Sequence, residues 1–163
     1  MSDHDRPKYA ADFVAFSTDD HGVPHVALIK RKKNPHAGSW ALPGGHVDGP
    51  HESSRTAAVR ELAEETGLDA STTTASQVGV FDTPGRDARG WYVAVVYTDF
   101  LPGMPPIFAA DDAADARWFP LASVNTATPL AFDHMDMIEA AAAVLIQNRP
   151  DLADSITDAL RRS

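Results

Sequence analysis

The nine residues Arg60-Glu61-Leu62-Ala63-Glu64-Glu65-Thr66-Gly67-Leu68 constrain this chain more than any other stretch. A glycine after a run of good helix formers stops a helix in the left-handed conformation, and Ser53 or Ser54 offers a side-chain cap for its start. A helix is therefore predicted from about Ser53 to Thr66. At about 100° per residue, Glu61, Glu64 and Glu65 fall within an arc of roughly 100°, with Val59, Leu62 and Ala63 on the opposite side to face a core. Like charges at i, i+4 cost about 0.2–0.5 kcal/mol on an exposed helix. A divalent cation reverses that sign, and clustered oxygen ligands suit Mg²⁺ or Mn²⁺. A solvated acidic face is the ordinary explanation of any single Glu pair, so the surrounding residues must decide.

Upstream stands Gly44-Gly45-His46-Val47-Asp48-Gly49-Pro50-His51-Glu52, and seven residues separate Glu52 from Arg60. Together the two segments resemble the signature of the Nudix hydrolases, G-x5-E-x7-R-E-U-x-E-E-x-G-U, with U a bulky aliphatic. Every defined position from Glu52 to Leu68 matches. One departure is that six residues, not five, separate Gly45 from Glu52, which places an extra residue in the loop at Gly49-Pro50-His51.

The resemblance implies an α+β fold, a Nudix-type α/β/α sandwich with a mixed sheet, and hydrolysis of a nucleoside diphosphate linked to another group. It carries the metal-ligand role to Glu61, Glu64 and Glu65, with the Gly45 carbonyl as a further ligand, and Mg²⁺ as the cofactor with Mn²⁺ the alternative. Arg60 and Glu52 would tie the loop to the helix. In this family an acid from a downstream loop often completes the site, and here Asp111 and Asp112 are the candidates for base or extra metal ligand. Read alone they are a turn pair. The chemistry agrees with the charges, since a diphosphate repels nucleophiles until cations neutralise its oxygens and acidify the attacking water.

The rest of the chain reads as strands first and helices last. Asp12 to Ser17, Val26 to Arg31, Gln77 to Phe81, Trp91 to Phe100 and Arg117 to Pro120 have strand composition, with a turn at Asp19-Asp20-His21-Gly22. Phe132 to Asn148 and a shorter segment to about Arg161 read as helices. No repeat or linker divides residues 1–163, which are expected to form one Nudix hydrolase domain. The longest apolar runs, Trp91 to Tyr97 and Ala140 to Ile146, are seven residues each, against about 20 for a membrane span. Zero cysteines exclude thiolate nucleophiles and Cys-type zinc sites, and the absence of an apolar leader makes a cytoplasmic protein the expectation. The net charge of −9 argues against general nucleic-acid binding, which leaves a basic footprint. A homodimer is expected by analogy alone.

The substrate must be read elsewhere. Pro84-Gly85-Arg86-Asp87-Ala88-Arg89-Gly90 resembles the P-x-R-D-x-R-G loop of ADP-ribose pyrophosphatase-type members, and Lys30 to Lys33 and Leu130 to His134 are similar to the same group. The resemblance implies cleavage of ADP-ribose to AMP and ribose 5-phosphate. Arg86 and Arg89 would be planar donors to phosphate or ribose, or else surface partners of Asp82 and Asp87. His46 is a candidate substrate contact, and His134 a cap of the last long helix. Lys30 to Lys33 reads better as a solvated strand end than as a phosphate clamp, and Phe13 and Trp40 as core. Two alternatives stay open: a pyrophosphohydrolase of oxidised dNTPs, and a non-catalytic ADP-ribose-sensing module.

Overall fold

The computed structural model describes residues 6–110, 113–127 and 129–163. Its framework is a seven-stranded mixed sheet built from β1 (Lys8–Thr18), β2 (Pro24–Arg31), β3 (Trp40–Ala41), β4 (Gly44–His46), β5 (Ser76–Phe81), β6 (Tyr92–Phe100) and β7 (Ala113–Pro120). Helix α1 (Ser54–Thr66) covers one face, and α2 (His134–Asn148) with α3 (Ala153–Leu160) the other. This is the α/β/α arrangement expected from the sequence.

β1 is buried without interruption from Ala11 to Ser17, as a strand covered on both faces must be. Its side chains alternate: Ala11, Phe13 and Ala15 pack with Ala58 and Leu62 under α1, while Val14 and Phe16 pack with Ile138 and Leu145 under α2. Along one edge β1 runs parallel to β6 from Lys8↔Tyr92 to Phe16↔Phe100. The other edge is divided. β2 takes only Phe16 to Thr18 and continues against β7, whereas β4 takes Ala10 to Asp12. Asp12, opposite Gly44, lies where β1 changes partner.

Helix α1 ends as its sequence dictates, with the Ser53 side chain accepting the Thr56 amide and Gly67 at φ 73°. Its orientation differs from expectation. The buried side is Ser54, Ala57, Ala58, Leu62, Glu65 and Thr66, so Ala63, expected in the core, is exposed, and Val59 is half-buried. Glu65 instead faces the sheet. A run of small residues at 57 and 58 lets the helix settle with that side inward, which turns Glu61 and Glu65 toward β4.

Three boundaries also differ, the first being β1, which begins at Lys8, four residues before the expected Asp12. β7 begins four residues before the predicted strand, because Ala113 and Ala116 carry no strand signature yet pair with β2. Helix α2 begins at His134 rather than Phe132, because Phe132 has φ 52°, outside the helical region. β4 was not anticipated, glycine being a poor strand former.

Candidate active site

The acidic end of α1 is organised around Arg60. Its Nε and Nη2 donate to the two Glu52 oxygens at 2.8 and 3.1 Å, its Nη1 to Glu61 at 2.8 Å and Glu64 at 3.1 Å, and Nη2 also to the His46 carbonyl at 3.1 Å. Glu52 in turn accepts the Asp48 amide at 2.6 Å. Arg60 and the Asp48 amide hold the Glu52 carboxyl below its ordinary range. The loop carrying the extra residue is thereby closed onto the helix, with Gly49 in the left-handed turn at φ 67°.

Glu65 reaches past Arg60 to the diglycine strand, where Oε2 accepts the Gly44 amide at 3.0 Å. Burial, reinforced by Glu61 and Asp12, pushes its carboxyl up to about 8. Burial also raises Glu61, against the pull of Arg60. The glycines leave the carboxylates room that a side chain would take. A Cβ on Gly45 would collide with the Glu61 carboxylate, and one on Gly44 with Asp12 Oδ1. The Gly44-Gly45 ribbon is thus enclosed by three carboxylates.

These groups suit a hard divalent cation. Glu61, Glu65 and the Gly45 carbonyl are all oxygen donors; Glu65 is buried beside the like charges of Glu61 and Asp12, while Glu61 is already paired with Arg60. Among the described residues no three His, Asp or Glu side chains already converge as a finished cage, because Glu61 and Glu64 are turned to Arg60. Asp111 and Asp112 lie outside the described residues.

The ribbon forms one wall of a cavity of about 340 Å³. Glu65, Gly45 and His46 line it from one side, and Arg86 and Arg89 from the loop between β5 and β6. The two arginines are held differently. Arg86 pairs with neither Asp82 nor Asp87: its Nε and Nη2 donate to Asp133 at 2.9 and 2.6 Å, with 6% of its side chain exposed. Asp133 is the residue before α2, and its carboxylate serves Arg86 rather than capping the helix. Arg89 pairs with Asp87, its guanidinium 4.6 Å from the Tyr92 ring centroid and 5.6 Å from that of Phe132.

Arg31, Lys32 and Lys33 also border the cavity, at the end of β2 where Lys32 and Lys33 are exposed, as expected of a solvated strand end. Arg31 lies 4.9 Å from the Phe132 centroid. Phe132 therefore keeps a strained backbone, worth about 1–3 kcal/mol, at the centre of a cationic wall. His46 stacks on Tyr92 at 5.7 Å. Phe13 is core and Trp40 packs on Phe119, as expected. His134 is buried with Nδ1 accepting the Leu42 amide at 2.9 Å, and burial pushes its pKa down to about 3.

Sequence reading missed Asp12, Tyr92, Phe132 and Asp133 as lining or bracing groups. For Asp12 a signal existed: one carboxylate within the otherwise apolar run Ala10 to Phe16. Asp12 is 8% exposed, and burial pushes its carboxyl up to about 7.

The model of the NUDIX domain matches residues 7–141. An ADP-ribose pyrophosphatase of Methanocaldococcus jannaschii is 43% identical over 115 residues, covering 70% of this chain and 63% of that protein. An ADPR responsive transcriptional repressor of Acinetobacter baylyi is 34% identical over 145 residues, covering 88% of this chain and 56% of the repressor. This chain therefore spans less than two thirds of either relative. Among solved structures, the NUDIX domain of Shewanella oneidensis NrtR, cocrystallised with ADP ribose, superposes with a TM-score of 0.77 at 34% identity, covering 85% of this chain and 88% of that one.

Proposed function

The chain belongs to the Nudix family, and from that premise we propose that it is a metal-dependent hydrolase cleaving ADP-ribose to AMP and ribose 5-phosphate. The observation that carries this reading is the shared cavity, in which Glu65 from the acidic helix and Arg89 from the loop after β5 line one space. A diphosphate between two sugars needs both: a cation centre at the bond to be broken, and planar donors along its flanks.

Glu61, Glu65 and the Gly45 carbonyl would hold Mg²⁺ or Mn²⁺, with Glu64 beside them. When bound, the ion supplies charge neutralisation at the diphosphate oxygens and acidifies the attacking water. The chain's own residues do the positioning. Arg60 fixes the Glu52 loop against α1, and Gly45 stays packed against the Glu61 carboxylate. Arg31 and Arg89, 4.9 and 4.6 Å from the Phe132 and Tyr92 ring centroids, present donors to anionic oxygens with little rotamer freedom left to lose. Such fixed electrostatics are the main source of rate enhancement in phosphoryl-type displacement.

The choice of ADP-ribose is supported by the Arg86–Arg89 loop and by the names of the relatives. The repressor likeness favours a second reading, in which the same cavity binds ADP-ribose without cleaving it. Incubation with Mg²⁺ and ADP-ribose, NADH, a sugar nucleotide or dNTPs, with products separated by chromatography, tests the proposal. AMP and ribose 5-phosphate are expected, formed faster than any dNTP product. Tight ADP-ribose binding without turnover would establish the sensor, and preferred conversion of a dNTP to its monophosphate would replace the substrate.

A further inference from the structure

Asp12 is a buried carboxylate that makes no hydrogen bond or ion pair with any described residue, yet it lines the cavity. The nearby cations are already engaged. Arg86 is held by both oxygens of Asp133, and Arg31 donates to the Pro35 carbonyl while its guanidinium lies over Phe132. Asp12 alternates with Val14 and Phe16, on the face of β1 opposite to that covered by α1. It therefore stands across the Gly44-Gly45 ribbon from Glu61, and Gly44 lacks the side chain that would displace it. Among the described residues no fully buried side-chain oxygen lacks a partner, so the Asp12 carboxylate opens to the cavity, where an incoming group can reach it.

We propose that Asp12 is a specificity-determining residue whose carboxylate accepts hydrogen bonds from the vicinal hydroxyls of a ribosyl group on the substrate. The proposal rests on the nucleoside-diphosphate reading of the cavity and adds the group that selects its sugar. A phosphate would be repelled by Asp12, and an aromatic face offers it no hydrogen. A vicinal diol brings two O–H donors to the two oxygens of one carboxylate. ADP-ribose carries such hydroxyls at two places, on the adenosine and on the terminal ribose.

The test is equilibrium binding, in Mg²⁺, of two matched pairs of ligands: AMP against 2′,3′-dideoxy-AMP, and ribose 5-phosphate against 2-deoxyribose 5-phosphate. Wild-type protein is expected to prefer the hydroxylated member of one pair by about 10- to 150-fold, the range for a hydrogen bond to a charged group. The pair that discriminates identifies which ribose Asp12 serves. In Asp12→Ala the preference should collapse to near unity, and in Asp12→Asn to an intermediate value. Both variants should fold with an unchanged or higher Tm, since no partner is left unsatisfied. No preference in the wild type, no binding at all, or a preference that survives Asp12→Ala overturns the proposal. Absence of ADP-ribose turnover with the diol preference intact would instead remove the hydrolase reading and leave this one standing.

Discussion

Arg86 and Asp133, 47 residues apart, form a two-point ion pair in which Nε and Nη2 each donate to a separate carboxylate oxygen, at 2.9 and 2.6 Å. The pair joins the loop after β5 to the first turn of α2 and leaves Arg86 with 6% of its side chain exposed. Its neighbour Arg89 forms its ion pair within its own loop, with Asp87, lies near the Tyr92 and Phe132 rings, and is 38% exposed. Two arginines three positions apart therefore have different work. Arg86 braces the cavity and Arg89 meets what enters it.

Arg86→Met should destabilise the fold by about 3 kcal/mol, the lower end of the range for stripping a buried ion of its partner. Arg89→Met should cost a comparable amount, because it leaves the Asp87 carboxylate, 3% exposed, without its side-chain partner. Arg89→Met should raise KM for ADP-ribose about tenfold or more with a smaller change in kcat, as expected for a contact present in both ground and transition states. Denaturant midpoints and steady-state kinetics on both variants check this. A KM raised as much by Arg86→Met as by Arg89→Met, or unchanged KM for Arg89→Met, would contradict the division.

Glu65→Gln keeps the shape of the side chain and removes the charge beside Gly44. It should lower kcat by orders of magnitude, abolish the rise in Tm that Mg²⁺ gives the wild type, and leave the fold intact. Gly45→Ala should do the same by displacing Glu61. Glu52→Gln should be milder on every count, since Glu52 acts through Arg60 and the Asp48 amide. Full activity in EDTA, or a Glu52→Gln enzyme as impaired as Glu65→Gln, would overturn the assignment.

His134 supplies a pH dependence with a definite sign. Its pKa is about 3 folded and near 6.5 when unfolded, so the unfolded chain binds the extra proton between those values. The stability of the neutral ring is fully present above pH 6.5 and is lost as pH falls toward 3, by up to about 1.4 kcal/mol per unit. His134→Asn keeps an acceptor for the Leu42 amide but does not titrate. Between pH 6.5 and pH 5 the wild type should lose about 2 kcal/mol more than the variant. Parallel pH profiles would show that the ring charges inside the fold.

Much of this molecule was legible in the sequence because it is local. Ser53 and Gly67 bound α1 through their own backbone and side-chain chemistry, within a turn of the residues they cap. The spacing of Glu52, Arg60, Glu61, Glu64 and Glu65 carries the family resemblance, and the β-rich composition of the β1 and β6 segments marks them as strands. What the tertiary structure alone decided was which polar groups meet across the sheet. The division of one edge of β1 between β2 and β4 set Asp12 against Gly44. The settling of α1 on Ala57 and Ala58 turned Glu65 inward, where a helical wheel drawn from side-chain polarity put Ala63. The return of the chain at Phe132 gave Arg86 its partner Asp133. Helix caps and strand alternation depend on residues a few positions apart, so sequence order specifies them. Burial and ion pairing depend on distances in space, which exist only once the sheet has assembled.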